Sequence, residues 1–343
     1  MENLISVVVC TYNQEDTIAR TLDSILMQQC HVPYEIIIGE DCSTDHTRDI
    51  CKSYAEKHPN VIRLIANKQN KGVLDNYFDC LLAAQGKYIA DCGGDDFWTD
   101  PLKLEKEVTI LEEHPDVTLV HTNWLCYDEE KGTTYPPHSA DSKHTRPFIE
   151  GAEILEDIVI QTQRPVIHLC TSLYRRDVFL QAYQEDTYFF RNKDFGCEDV
   201  QISFIMAKNG RIAYLSDITL SYSVGNATIS NTKSEEKQYR FVRQVTNLSY
   251  YLCDKYKLQS NRIDDYFRQR IFALSMHAFR CHNSAMRDEV RTLKKRWHVA
   301  DNQSIRFANL IMSNNTTWQI ALMARSLFVK WKKRKELLNG TIR

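Results

Sequence analysis

The sequence predicts an α/β fold with a mostly parallel central sheet flanked by helices, followed by a helical C-terminal region. Short β-branched runs alternate with helical patterns over the first hundred residues, which is the signature of a parallel sheet covered by helices. Polar clusters follow these runs directly, and strand signals fade beyond about residue 230, where long helical patterns begin. We therefore predict a sheet-containing domain over residues 1–230 and a helical region over residues 231–343.

Four strands are predicted in the first hundred residues, because each is a short apolar run: residues 6–10, 35–38, 61–65 and 87–91. Each of the first three precedes a helical pattern; in the first pattern Ile18, Leu22 and Ile25 share one face. A further strand is predicted over residues 117–123. The polar stretch from 126 to 147, which contains Pro136 and Pro137, predicts a mobile loop.

Charge and cysteine content narrow the class of protein. A net charge of -2 argues against nucleic-acid binding, since no whole-molecule field would attract a polyanion. The eleven cysteines include no Cys-x-x-Cys pair, which favours reduced thiols in a reducing compartment. The N-terminus does not resemble a secretory signal and no stretch is apolar enough to span a bilayer, so we expect a cytoplasmic protein.

The densest chemical signal is Gly93-Gly94-Asp95-Asp96, which directly follows a predicted strand. Glycines let a ligand approach the backbone, and carboxylate oxygens are what Mg²⁺ or Mn²⁺ prefers, usually with help from substrate phosphates. The alternative interpretation is an ordinary turn with Asp as a turn former. Because ligands of open α/β sheets bind outside the carboxyl ends of the strands, this position favours the metal site.

Two further acidic pairs strengthen that interpretation. Glu40-Asp41 is predicted at the same sheet edge, where one Asp could accept a hydrogen bond from the imide N–H of uracil. Glu198-Asp199 precedes a helical pattern, where a carboxylate can act as a general base. Helix N-capping is the alternative for both pairs.

Several familiar motifs are missing. The first predicted strand is not followed by Gly-x-Gly-x-x-Gly, which counts against a nicotinamide enzyme, and the chain has no Gly-Lys-Ser/Thr phosphate loop. A Gly-x-Ser-x-Gly hydrolase elbow is also absent. A phosphate held by a metal ion is the remaining interpretation.

Three segments together carry a resemblance to a known family. Residues 7–13 (VVVCTYN), 39–45 (GEDCSTD) and 87–98 (KYIADCGGDDFW) resemble family 2 glycosyltransferases in order and spacing, and the likeness covers roughly residues 4–225. The resemblance implies a GT-A fold with a nucleotide-sugar-binding half, residues 1–100, and an acceptor half, residues 101–230. It also implies inverting transfer of a hexosyl or N-acetylhexosaminyl group from a nucleotide sugar, with UDP expected, to a hydroxyl of a glycan or lipid-linked glycan in polysaccharide biosynthesis.

The resemblance implies a donor site in the first half. Carried over by position, Thr11, Tyr12 and Asn13 would line the nucleoside pocket and Asp41 would contact the base. Lys71 and Asn76 would lie near the donor phosphates or sugar.

The resemblance also implies the groups that perform the chemistry. Asp95 would hold Mn²⁺ or Mg²⁺ against the diphosphate, and Asp96 belongs to the donor-binding set. Asp199 would take the proton of the acceptor hydroxyl, with Glu198 as the fallback, and the segment from 168 to 175 would border the acceptor.

One residue departs from the family pattern. The first acid of the Asp-x-Asp motif is Gly93 here, and Asp91, Asp95 and Asp96 are the carboxylates that could compensate. The departure motivates an alternative, a catalytically silent protein that binds sugar nucleotides as a scaffold. A nucleotidyltransferase is a further alternative, although the Gly-rich basic phosphate loop usual in that class is missing.

The C-terminal region suggests a second partner. From Ser304 onward aliphatic and aromatic residues precede the lysine-rich run of residues 330–335, a pattern typical of an interfacial helix on an anionic membrane. A helix packed on the catalytic domain with a solvated basic face is the alternative. The membrane interpretation predicts peripheral contact at the inner face of the cell membrane.

Overall fold

The computed structural model describes residues 4–137, 142–161, 165–225 and 234–338. The chain divides into two compact units, Met1–Asn226 and Ala227–Arg343. The first unit contains the sheet, and the described part of the second is helical. The predicted α/β class with a mostly parallel sheet and a helical C-terminal region is confirmed.

The strands of the first unit form one sheet. In chain order the described strands are Ile5–Thr11 (β1), Tyr34–Glu40 (β2), Ile62–Ala66 (β3), Tyr88–Gly93 (β4), Phe97–Trp98 (β5), Val117–Asp128 (β6), Thr133–Tyr135 (β7), Phe148–Glu150 (β8), Ser172–Arg175 (β9) and Arg211–Val224 (β10). Their order across the sheet is β3-β2-β1-β4-β9-β6-β10-β5, with β7 beside β6 and β8 beside β10.

Strand direction divides the sheet into two parts. Strands β1 to β4 are parallel to one another, and β6 is parallel to β10. Strand β9 runs antiparallel between β4 and β6 and so joins the two parts.

Helices cover the sheet in the first unit and make up the second. In the first unit the α-helices are Ile18–Leu26 (α1), Thr47–Lys57 (α2), Val73–Ala83 (α3), Lys103–Glu113 (α4), Leu155–Val159 (α5), Arg176–Glu185 (α6), Thr187–Arg191 (α7) and Glu198–Asn209 (α8). In the second unit they are Glu235–Tyr256 (α9), Asn261–Cys281 (α10), Ser284–Arg296 (α11), Gln303–Ile311 (α12) and Asn315–Leu338 (α13).

The register of the central strands places their ends at one level. Strand β1 is apolar on both faces because helices cover both sides of a parallel sheet, and Val7, Val8 and Val9 are all buried. Cys10 of β1 pairs with Gly39 of β2 on one side and with Gly93 of β4 on the other. The loops that follow these three strands therefore leave the sheet side by side.

One predicted loop contains a hairpin instead. Within residues 126–147, strand β6 continues to Asp128 and β7 returns antiparallel to it across a turn in which Gly132 has a φ of +64°. The prediction was wrong here because the turn between the strands is polar and the returning strand is short and exposed, so neither gives an apolar run. Residues 138–141 of the predicted loop lie outside the described residues.

Side-chain caps define where the helices of the second unit begin. Ser234, Ser260, Asn283 and Asn302 each accept a hydrogen bond from a backbone N–H in the first turn of the helix that follows.

Among the described residues, no helix combines the length and the apolar character needed to cross a membrane.

Candidate active site

The loops after β1 and β2 are joined by side-chain hydrogen bonds. Asn13 has a φ of +52°, its N–H donates to the Ser43 hydroxyl at 3.0 Å, and its Oδ1 accepts from the Thr44 N–H at 2.8 Å. Thr11 is buried behind these loops, whereas 45 % of Tyr12 is exposed. Tyr12 is thus the residue of this predicted nucleoside-binding set whose side chain is exposed, whereas Asn13 holds the two loops together.

The carboxylate of Asp41 organises a third loop. Its Oδ1 accepts from the Asn67 side chain at 3.0 Å and from the Lys71 N–H at 2.8 Å, and its Oδ2 accepts from the Gly72 N–H at 2.9 Å. A carboxylate can accept about four hydrogen bonds, so one remains for a nucleotide base. Asp41 is almost completely buried, and the contact with a nucleotide base stays a prediction.

The two residues expected near the donor phosphates differ in their surroundings. The Lys71 ammonium is partly exposed and donates to Asp79 at 2.8 Å, an ion pair that a phosphate can replace. Asn76 is buried; its Nδ2 donates to the Gly39 carbonyl at 2.8 Å and its Oδ1 accepts from Asn67 at 2.8 Å. Asn76 therefore holds α3 against the end of β2, which favours a supporting role over contact with the donor.

The glycine pair after β4 forms a turn pressed against the β1–α1 loop. The Gly94 N–H donates to the Cys10 carbonyl at 3.2 Å, and the Gly94 carbonyl accepts from Thr17 Oγ1 at 2.9 Å. A Cβ on Gly94 would overlap Gln14 Oε1 and would lie 2.9 Å from both Cβ and Oγ1 of the buried Thr11. The close approach explains why the position requires glycine.

The acids that follow the glycines are held through their backbone. The Asp95 carbonyl accepts from the Ser223 hydroxyl at 2.5 Å and from the Arg20 guanidinium at 3.1 Å. The Asp96 carbonyl accepts from Thr21 Oγ1 at 2.6 Å. Helix α1 and strand β10 thus set the position of the turn.

The two carboxylates of this turn differ in environment. Asp96 is almost completely buried, and its Oδ1 accepts from the Ser223 N–H at 3.0 Å. Burial, and then the charge of Asp95, raises the pKa of the Asp96 carboxyl well above its usual value. Burial and the nearby Glu129 raise the pKa of Asp95, while Arg20 and a hydrogen bond with Gln14 oppose the rise.

Glu198 and Asp199 lie in the first turn of α8. The residue before them, Cys197, has a φ of +78°, and no side chain caps the helix. Neither carboxylate therefore serves as the N-cap. Burial raises the pKa of Glu198, and burial followed by the charges of Glu198 and Asp91 raises the pKa of Asp199 well above its usual value.

The acids of β4 and α8 form one electrostatic group. The charge of Asp199 adds a smaller contribution to the raised pKa of Asp96, so these two carboxyls interact electrostatically. Within the described part of the chain, no Lys or Arg forms an ion pair with Asp95, Asp96, Glu198 or Asp199. A divalent cation would supply the missing positive charge, so the donor set fits Mg²⁺ or Mn²⁺.

The number of available ligands limits how such an ion would be held. In the described ranges, one group of three metal-ligating side chains has its ligand atoms within 4.8 Å of one another. It consists of Cys30, His31 and Glu105, at the protein surface. The carboxylates of the candidate site do not converge in this way. This agrees with an ion held by one or two carboxylates together with substrate phosphates.

Asp91 is an unusual buried acid below the site. It lies on β4 two residues before Gly93, and neither carboxylate oxygen accepts a hydrogen bond of good geometry. Burial raises its pKa to about 7; the hydroxyls of Tyr174 and Tyr77 oppose the rise but bond to each other at 3.1 Å. The protonated form is therefore favoured by folding.

Replacing Asp91 by asparagine is expected to stabilise the fold in a pH-dependent way. The native state binds the proton more tightly than the unfolded chain does, so the wild-type protein loses stability as pH rises from about 4 to about 7. Asp91→Asn should gain about 2–4 kcal/mol in the free energy of unfolding at about pH 8, and less than half of that at about pH 5. Urea unfolding at the two pH values measures both gains.

A surface acid provides the control for this stability test. Hydrogen bonds with Lys131 lower the pKa of Asp128, so Asp128→Asn should give no gain at the higher pH. A gain for Asp91→Asn that is equal at both pH values would contradict the buried-charge explanation.

Sequence reasoning missed the residues that support the site. Arg20 donates to Glu129 at 2.6 Å and stacks on the Phe97 ring at 4.3 Å, so it links α1, the β6–β7 hairpin and the acidic turn. Ser223 lies on β10, more than a hundred residues from the acids that it contacts. No short motif marks either residue, because both act through tertiary contacts.

Two members of an aromatic group, Trp124 and Tyr222, were also missed, whereas His168 lies in the segment expected to border the acceptor. Trp124, His168 and Tyr222 lie with ring centroids 5.0–5.6 Å apart. Burial, and then the charges of Asp96 and Asp95, raise the pKa of Tyr222, so this group interacts electrostatically with the acids. Aromatic faces beside carboxylates suit the apolar faces and hydroxyls of a sugar.

Known proteins resemble this chain in sequence and in fold. The family model described as glycosyl transferase family 2 matches residues 6–181, just over half of the chain. An uncharacterized protein of Mycobacterium tuberculosis is 43 % identical over 136 residues, which is 39 % of this chain and 39 % of that protein. The putative teichuronic acid biosynthesis glycosyltransferase TuaG of Bacillus subtilis is 40 % identical over 110 residues, 32 % of this chain and 42 % of that protein.

These relatives match in part of their length. The matched segments span about two fifths of each relative. Among solved structures, S. aureus TarS 1-349 in complex with UDP-GlcNAc superposes with a TM-score of 0.53 at 17 % identity, covering 94 % of this chain and 91 % of TarS 1-349. At that identity the likeness concerns the fold, which is of the GT-A type.

Proposed function

Because this chain belongs to glycosyl transferase family 2, we propose that it moves a sugar from a UDP-sugar donor to an acceptor hydroxyl with inversion. The observation that carries the proposal is the electrostatic interaction between two buried acidic groups, Asp95-Asp96 and Glu198-Asp199. The turn with Asp95 and Asp96 follows β4. Asp199 is the second residue of α8, and its charge contributes to the raised pKa of Asp96. One group is suited to the donor diphosphate and the other to the acceptor.

Asp199 is proposed as the general base. The acceptor oxygen forms a bond to the anomeric carbon, its proton passes to the Asp199 carboxylate, and the bond from that carbon to the diphosphate oxygen breaks. A single displacement of this kind inverts the anomeric centre and needs no covalent enzyme nucleophile. Glu198 is the adjacent alternative base.

Asp95 is proposed as the protein ligand of a divalent cation. The ion, Mn²⁺ or Mg²⁺, would supply charge stabilisation for the departing diphosphate. Asp96, whose Oδ1 is bonded to the Ser223 N–H, would support the same turn. Gly93 occupies the position of the first acid in the Asp-x-Asp motif of the family. Asp95 would therefore contribute more to metal binding here than the corresponding residue does in the family pattern.

The donor and acceptor classes rest on the relatives. TarS 1-349 was solved with UDP-GlcNAc, and the name of TuaG refers to teichuronic acid biosynthesis. We therefore propose transfer of a hexosyl or N-acetylhexosaminyl group to a glycan or lipid-linked glycan during polysaccharide synthesis. The proposed place of action is the cytoplasm, at the inner face of the cell membrane.

Nucleotide binding tests the proposal directly. Calorimetric titration with UDP, GDP and CDP, with and without Mn²⁺, is expected to show Mn²⁺-dependent binding that is strongest for UDP. A UDP-sugar screen with acceptor glycans should then release UDP.

Two other outcomes would change the assignment. Donor binding without hydrolysis or transfer across a broad acceptor panel would favour the catalytically silent scaffold that Gly93 motivates. Release of pyrophosphate from a nucleoside triphosphate in the presence of a sugar phosphate would favour a nucleotidyltransferase.

A further inference from the structure

The last helix of the second unit exposes an apolar face. We define this face as Ile320, Met323, Leu327, Phe328 and Trp331 of α13, whose exposed fractions lie between 57 % and 68 %. At 3.6 residues per turn, spacings of three and four place these side chains on one side of the helix, over about 16 Å of its length. The rings of Phe328 and Trp331 lie 5.9 Å apart.

The opposite side of α13 holds the helix in place. Trp318 is buried and its Nε1–H donates to the Phe279 carbonyl at 2.9 Å. Ala321 and Leu322 pack on the same small core, which includes Met312. The helix is thus apolar on two sides, one packed and one exposed. A large exposed apolar patch on an otherwise folded unit marks an interaction surface.

The sequence that contains this face is strongly basic. Between Gln303 and Leu338 there are seven basic residues and one acidic residue, Glu336, whereas the whole chain has a net charge of -2. Five of the basic residues belong to the last turns of α13, at positions 330, 332, 333, 334 and 335. Helix α12 adds Phe307 and Leu310, which are also exposed.

We propose that α13 docks the protein on an anionic lipid bilayer, with the apolar face in the acyl boundary and the basic residues at the headgroups. Apolar residues with Trp and Phe, flanked by a basic cluster, bind such an interface through both burial and charge. A second copy of the chain is a poorer partner because two strongly positive helices repel each other. The proposal is independent of glycosyl transfer.

Vesicle binding of the full chain tests this proposal with a matched pair of variants. Leu327→Glu puts a charge on the apolar face, whereas Ser326→Glu adds the same charge at an adjacent exposed position outside it. Wild type is expected to co-sediment with phosphatidylcholine vesicles that contain phosphatidylglycerol. The vesicle partition coefficient should fall about tenfold or more for Leu327→Glu and by less than about threefold for Ser326→Glu.

Other outcomes would overturn the proposal. Equal losses for the two variants would mean that charge alone attracts the chain, and no binding of wild type would remove the lipid partner. A concentration-dependent dimer in light scattering that Leu327→Glu dissolves would assign the face to a second copy. Far-UV circular dichroism checks that both variants remain helical.

Discussion

Replacing Asp199 by asparagine should lower kcat about 10²–10⁴-fold while leaving nucleotide binding nearly unchanged. Asparagine keeps the size of the side chain but cannot accept the proton of the acceptor hydroxyl. Because burial raises the pKa of Asp199, the wild-type rate should also rise with pH as this carboxyl loses its proton, and the variant should lack that limb. Steady-state kinetics across pH, with calorimetry of UDP binding, measure both effects.

Glu198→Gln is the matched control for this prediction. It removes the adjacent carboxylate of the same first helical turn and should reduce kcat far less. A large loss in Glu198→Gln together with a small one in Asp199→Asn would transfer the role of base to Glu198. Loss of UDP binding in Asp199→Asn would instead indicate disruption of the site as a whole.

Replacing Asp95 by asparagine should remove Mn²⁺-dependent nucleotide binding and lower kcat/KM about 10²–10³-fold. Charge stabilisation by a metal ion amounts to several kcal/mol, and each 1.4 kcal/mol corresponds to about a factor of ten. The backbone contacts of Asp95 with Ser223 and Arg20 involve its carbonyl, so they persist in the variant. Calorimetry with UDP at rising Mn²⁺ concentration measures the loss.

An acid outside the proposed metal-binding set gives the comparison for the metal prediction. Asp128 bonds to Lys131 at the end of β6, and Asp128→Asn should leave the Mn²⁺ dependence of UDP binding intact. Metal-independent UDP binding that is equal in wild type and Asp95→Asn would contradict the role proposed for Asp95.

The first four strands and the order of the acidic motifs could be predicted because parallel sheets leave strong local signals. Buried strands such as β1 are continuous apolar runs, and polar residues follow them at the sheet edge. The β6–β7 hairpin could not be predicted in this way. Its returning strand is exposed and pairs through backbone groups, which any polar sequence provides.

Individual side-chain roles were harder to predict than the site itself. The motif containing Asp41 was evident, but its bonds to the backbone of residues 71 and 72 depend on how the third loop folds over it. Asn76 was expected near the donor, but the structure shows that its side-chain amide forms hydrogen bonds with the Gly39 carbonyl and the Asn67 side chain. Arg20 and Ser223 reach the acidic turn from distant elements, so no local pattern identifies them.

The backbone contacts that hold the acidic turn have a thermodynamic consequence for binding. Thr17, Thr21, Ser223 and Arg20 all donate to carbonyls of residues 94–96. The conformational entropy of this segment is therefore lost when the chain folds, and little is left to lose when a ligand arrives. If Asp95 is the principal metal-binding carboxylate, as we propose, preorganisation of this kind would give the site affinity that a flexible loop with the same carboxylate would lack.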